Sequence, residues 1–114
     1  MNANFLKILL VLGVIHLPSP AFAYTTGELA NACIAGDRAS IRYCEGYLGG
    51  FNDLNALLPA VDKNRIFCAP KEGLAPEQLK LVYLRWAANN QKDWDNSARV
   101  SVLLAMQQYY PCRS

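Results

Sequence analysis

Four cysteines, Cys33, Cys44, Cys68 and Cys112, all lie downstream of an N-terminal segment that reads as a cleavable export signal. Lys7 supplies the basic start, and an apolar run follows from Ile8 to Leu17, broken only by small residues and His16. Pro18 and Pro20 stop the helix, and Ala21-Phe22-Ala23 offers a small-x-small cleavage pattern. The apolar run of about 10 residues is too short for a bilayer that needs about 20. The expectation is a signal peptide over 1–23, removed on export, and a soluble chain from Tyr24 in the periplasm or outside the cell; an uncleaved anchor is the competing reading. Cysteines in an oxidising compartment pair as disulfides, so the chain is expected to fold as one small stapled domain.

Removal of the first 23 residues leaves 91 of the 114, enough for one domain over 24–114. A domain of that size buries only about two-thirds of its unfolded surface, so covalent staples help it. Its charges are scattered singly, with neither a basic stripe nor an acidic tail. Nucleic acid and an anionic membrane surface are therefore not expected partners. The chain's single histidine, His16, falls in the signal segment. Without it the mature part can assemble neither a Cys-His pair nor a Ser-His-Asp triad, which argues against an enzyme. Zinc sites favour close C-x₂₋₄-C pairs, whereas successive cysteines here are 11, 24 and 44 residues apart. No metal and no cofactor are expected.

The mature chain reads as an all-α, disulfide-stapled bundle of about four helices. Thr25 and Glu28 fit a capping box, which starts a first helix over Thr26–Ala35 with Leu29, Ala32 and Cys33 inward. A second helix is expected over Arg38–Leu58, because Ile41, Cys44, Leu48, Phe51, Leu54 and Leu58 recur at helical spacing. Gly46, Gly49 and Gly50 inside it each cost up to about 1 kcal/mol against alanine. Close approach of another helix is the expected compensation, with a kink as the alternative. Residues 59–71 read as a connector. Leu74, Pro76, Glu77 and Leu79 announce a third helix, with proline at its first position, an acid near the positive end of the dipole and a leucine staple. Leu79, Val82, Tyr83 and Trp86 carry its inner face to about Asn89. A fourth helix follows over Ser97–Tyr109, with Val100, Leu103, Leu104 and Gln107 on one face and Pro111 beyond its end.

Four cysteines allow three pairings. An unbroken second helix holds Cys44 and Cys68 too far apart for a bridge, which tolerates a Cα separation of about 7 Å. Cys33–Cys44 with Cys68–Cys112 is preferred, and Cys33–Cys68 with Cys44–Cys112 stays open beside it.

Several residue strings in this order resemble one family. They are Cys44-Glu45-Gly46-Tyr47-Leu48-Gly49-Gly50, Phe67-Cys68-Ala69-Pro70, Leu74-Ala75-Pro76-Glu77-Gln78-Leu79 and Tyr110-Pro111-Cys112. The ordered set resembles the Rap/Tai-type immunity proteins, which neutralise amidase effectors of the type VI secretion system. Gly46, Tyr47, Gly50, Pro70, Leu79 and Pro111 are the structural positions of those motifs. Ala75 departs from the family's usual hydroxyl cap, and Asp95-Asn96 lack the usual preceding proline.

The resemblance implies a periplasmic, mostly helical, often dimeric protein whose partner is a cell-wall amidase effector that it plugs. An inhibitor of that kind needs shape and polar contacts, with no catalytic residues of its own. A small periplasmic chaperone and a structural envelope protein are the alternatives from other classes.

The polar stretch 89–96 is the first-choice contact surface, because loops on rigid scaffolds commonly carry recognition. Within it Gln91, Asp93, Trp94 and Asp95 are the candidates, with Trp94 as an interface anchor or, equally, a ring tucked onto the core. Asp95 is the expected cap of the fourth helix. Asp62 and Arg65 form a second-choice contact region. Asp53 and Asn55 are expected to face solvent, and Tyr109 and Tyr110 to close the core.

Overall fold

The computed structural model describes residues 24–61 and 65–113. The expected signal peptide over 1–23 and Asp62 lie outside the described residues. Four helices follow in order: α1 Thr26–Ile34, α2 Arg38–Val61, α3 Pro76–Asn89 and α4 Ala98–Tyr109, with a 3-10 turn Gln91–Asp93 before α4. The all-α expectation holds. α1 and α3 form the centre and each packs on both α2 and α4, which flank them on separate sides. Among the described residues no helix is long and apolar enough to cross a membrane.

Each helix starts where local chemistry dictates. Thr25 Oγ1 accepts from Glu28 N at 3.2 Å, and Glu28 returns a carboxylate oxygen to Thr25 N at 3.4 Å, completing the capping box. Asp37 caps α2 by accepting from Ser40 N at 3.0 Å. Hydrogen bonds from the Ser40 side chain and backbone hold the Asp37 carboxyl below its ordinary value of 3.8. Ala75 has no side-chain acceptor, so α3 keeps only the return half of a capping box, Ala75 N donating to Gln78 Oε1 at 2.8 Å. Leu74 and Leu79 flank that start and both enter the core. Just before it, Gly73 N donates to Pro70 O at 2.9 Å, closing a turn in which Gly73 has φ +82°. A side chain there would meet the left-handed penalty that glycine avoids.

The staples pair as preferred. Cys33–Cys44 closes the α1–α2 corner with Cα atoms 5.0 Å apart. Cys68–Cys112 ties the connector after α2 to the chain's end, with Cα atoms 4.9 Å apart. Beside it Cys68 N donates to Tyr110 O at 2.8 Å.

Five expectations are corrected. Leu54, expected on the buried face of α2, is 53% exposed. α2 runs to Val61, beyond the expected stop at Leu58; Pro59 withdraws one N–H donor from the last turn, which leaves the preceding backbone bonds intact. Gly46, Gly49 and Gly50 do not mark a close helix approach, because a Cβ at any of them meets nothing within 4 Å among the described residues. Asn55 is buried at 3% exposure, and its side chain holds the connector backbone. Finally, α4 buries Ala98, Ser101, Val102, Ala105 and Met106, while Val100 and Leu104 stay nearly half exposed. Small residues let α4 approach the α1–α3 centre closely. Its Ser101 hydroxyl meets the fully buried Tyr83 hydroxyl at 2.8 Å. Burial raises the Tyr83 phenol above its ordinary value.

Candidate binding surface

The loop between α3 and α4 is gripped by the start of α1. A helix N-terminus leaves its first N–H groups without intrahelical acceptors. Here the loop provides the missing ones: Thr26 N donates to Asn96 O at 2.8 Å and Gly27 N to Trp94 O at 3.0 Å. Thr26 Oγ1 adds a bond to Asn96 O at 3.0 Å, and Ala98 N donates to Tyr24 O at 2.8 Å. With Glu28 N held by Thr25, the first turn of α1 is fully satisfied. This leaves the loop backbone fixed and the helix end closed to any anion.

Trp94 is half-buried against α1. A Cβ on Gly27 would lie 3.0 Å from Trp94 Cε3, so the close approach in this fold occurs at Gly27. The Trp94 indole N–H donates to Ala87 O at 2.9 Å, near the C-terminal end of α3. The core-facing alternative for this ring therefore accounts for most of its contacts. One edge of the ring lines a shallow apolar groove of about 300 Å³ with Ala30, Ile34, Leu84, Ala88 and Gln91. Ile34 is 64% exposed there.

The polar candidates separate. Gln91 and Asp95 are exposed, while Asp93 is half-buried. Asp93 accepts from Asn96 Nδ2 at 3.3 Å, which tightens the loop from within. Asp95 does not cap α4; Ser97 occupies the cap position without a side-chain cap bond, because the backbone of this stretch is held by α1. Gln91 borders the groove, and exposed Asp95 follows Trp94 in the same loop, so the 91–95 loop is the candidate polar rim of this surface.

Arg65 is exposed and elsewhere. Its neighbours Ile66 and Cys68 bond Gln107 and Tyr110 at the C-terminal end of α4, whereas the loop precedes the N-terminal end. Twelve residues of α4 rise about 18 Å, so Arg65 and the Gln91–Asp95 rim do not share one surface. Tyr109 and Tyr110 are half-buried and pack against the core, as expected. The structural motif positions divide as well: Leu79 is core, while Gly46, Gly50, Pro70 and Pro111 are exposed and Tyr47 is half-buried. Sequence reasoning missed Gly27 and Ile34. The glycine in the first turn of a capped helix was the available signal for a close approach; an isoleucine at the end of a short helix carried none.

The sequence pattern of the Rap1a immunity proteins matches residues 25–112, nearly the whole described chain. The chain belongs to this family. No curated protein and no solved structure matches it significantly. As a Rap1a immunity protein it is an inhibitor that binds a secreted effector protein, and the family assignment points away from an enzyme. The match ends at Cys112, so both disulfides and the gripped loop lie within it.

Proposed function

We propose that this Rap1a immunity protein is exported to the periplasm and there binds and blocks a peptidoglycan amidase effector of the type VI secretion system, acting as a homodimer. Family membership supports the immunity role. Two closed disulfides and the absence of free cysteines among the described residues support an oxidising compartment. The contact surface is the apolar groove beside Ile34 and Trp94 together with the Gln91–Asp95 rim. The observation that carries it is the rigid seating of this loop on the α1 start, which holds an exposed apolar groove and a polar rim in fixed relation. Rigid presentation lowers the entropy cost of binding.

The experiment expresses an amidase effector in the periplasm with and without this protein and measures lysis. It then titrates the purified pair by calorimetry. Protection and tight binding are expected. Ile34→Asp, at an exposed position, is expected to weaken binding about 30-fold, equivalent to about 2 kcal/mol, with an unchanged melting temperature. No protection against any amidase overturns the function; protection with unchanged binding by Ile34→Asp overturns the surface.

A further inference from the structure

The connector between α2 and α3 closes over one face of α2 and leaves a cavity of about 350 Å³ there. Asn52, Asn55 and Ala56, at helical spacing on that face of α2, form one wall. Arg65, Ala69, Pro70 and Lys71 of the connector form the other. Both walls are fixed. The Asn55 side chain binds the Ile66 and Phe67 backbone, and the Cys68–Cys112 bridge anchors the connector beside it. The bond from Gly73 N to Pro70 O closes the turn that carries Lys71.

The charge around this cavity has one sign. Arg65 and Lys71 are both exposed cations, and neither joins an ion pair among the described residues. Asp53 and Glu72 are close in sequence, but both are exposed and neither lines the cavity. Two cations around one cavity repel each other, and an anion between them replaces that repulsion with two attractions. Asn55 adds a donor. It is 3% exposed, and its Nδ2 carries two hydrogens, of which only the one given to Phe67 O has an acceptor among the described residues. A buried amide hydrogen left without a partner is costly, and a ligand oxygen in the cavity would satisfy it.

We infer that this cavity binds a carboxylate borne on a small apolar group, the chemistry that ends a peptide chain. The Arg65 guanidinium offers a fork matched to two carboxylate oxygens, and Lys71 offers a second charge. Ala56, Ala69 and Pro70 make an apolar wall suited to a methyl-sized side chain beside the carboxylate. That wall favours a peptide end over inorganic phosphate, which has no apolar part to bury against it. A volume of about 350 Å³ lies at the lower end of the range for small-molecule sites, about 300–1,000 Å³, and suits the last two residues of a chain. The site stands apart from the 91–95 loop, with the rise of α4, about 18 Å, between them. It goes beyond the immunity reading and does not depend on it.

A nuclear magnetic resonance titration of the disulfide-bonded protein tests this, with acetyl-alanyl-alanine as the probe. The free acid is expected to shift the amides of Arg65, Lys71 and Gly73 and to saturate with a dissociation constant on the order of 1 mM, the range for so small a ligand. The same peptide with its carboxylate capped as an amide should bind at least about tenfold more weakly. Arg65→Gln and Lys71→Gln should each weaken the free acid about tenfold at an unchanged melting temperature, because both side chains are exposed. No effector enters this titration, so its result is independent of the immunity reading. Absent saturation, or equal binding of the capped and free peptides, overturns the site. Inorganic phosphate that saturates the same amides as tightly as the free acid overturns the peptide-end assignment, and binding unchanged in both variants overturns the roles of Arg65 and Lys71.

Discussion

Replacing Asn55 by alanine removes the polar clamp that joins α2 to the connector. The amide Nδ2 donates to Phe67 O at 2.8 Å, and Oδ1 accepts from Ile66 N at 2.9 Å and Phe67 N at 3.2 Å. Phe67 is 1% exposed, so its carbonyl and amide have no easy route to water once the clamp is gone. Each stranded buried group costs about 1–3 kcal/mol. The Ile66 amide belongs to a half-buried residue and adds less. The neighbouring Cys68–Cys112 bridge restrains the connector, so the strand of backbone cannot swing outward to recover the loss. Asn55→Ala should therefore cost about 2–5 kcal/mol, from a total that is about 5–15 kcal/mol for domains in general. At about 4–8 °C per kcal/mol for a domain of this size, the melting temperature should fall by about 10 °C or more. Urea and thermal melts of the oxidised protein read this directly. Asn55→Asp gives a second readout: a carboxylate would face the Phe67 carbonyl, so its stability should rise as pH falls and the acid regains a donor. A loss below about 1 kcal/mol for Asn55→Ala would refute the clamp, since buried backbone groups would then have found other partners.

Other outcomes follow from the same geometry. Gly27→Ala should destabilise by about 1–3 kcal/mol, because the new methyl must displace the Trp94 ring, whereas Gly49→Ala should stabilise by up to about 1 kcal/mol; paired chemical melts test the opposite signs. Tyr83→Phe should cost about 1–2 kcal/mol, since it removes the hydroxyl shared with Ser101 while Ser101 keeps its 2.8 Å bond to Ala98 O. Burial, and then neighbouring Tyr24, push the Tyr43 phenol up from 10.0 to about 12, so the fold favours its neutral form. The sign is that this contribution is complete below pH 10 and is lost between pH 10 and about 12; Tyr43→Phe should flatten the alkaline fall in stability, and ultraviolet titration should show one late phenolate fewer.

The helix starts were legible in the sequence because they depend on a few adjacent residues. Thr25 with Glu28, and Leu74 with Pro76 and Leu79, declare their roles within a single turn. The length of α2 excluded a Cys44–Cys68 bridge, and the choice between the two remaining pairings was made by the structure. What escaped was set by contacts across the fold. Asn55 looked like a solvent-facing amide because nothing local to α2 says that the Phe67 backbone comes to meet it. The buried face of α4 was misjudged because periodicity favours bulky Val100 and Leu104, while the packing favours small Ala98, Ser101 and Ala105. The glycines of α2 were read as a close approach of another helix, yet the close approach among the described residues belongs to Gly27. At the candidate surface, the loop was singled out by its polarity, but the adjoining groove was not legible, since α1, α3 and the loop each supply part of it.

The grip of α1 on the distant loop also dictates an order of completion. Thr26 and Gly27 find their acceptors at Asn96 and Trp94, some 70 positions onward, and Cys68 waits for Cys112. A chain that emerges from a ribosome or a translocation channel with its first residues leading has no acceptors for its opening turn until nearly all of it has appeared. Long-range closure of this kind delays folding until both ends are present.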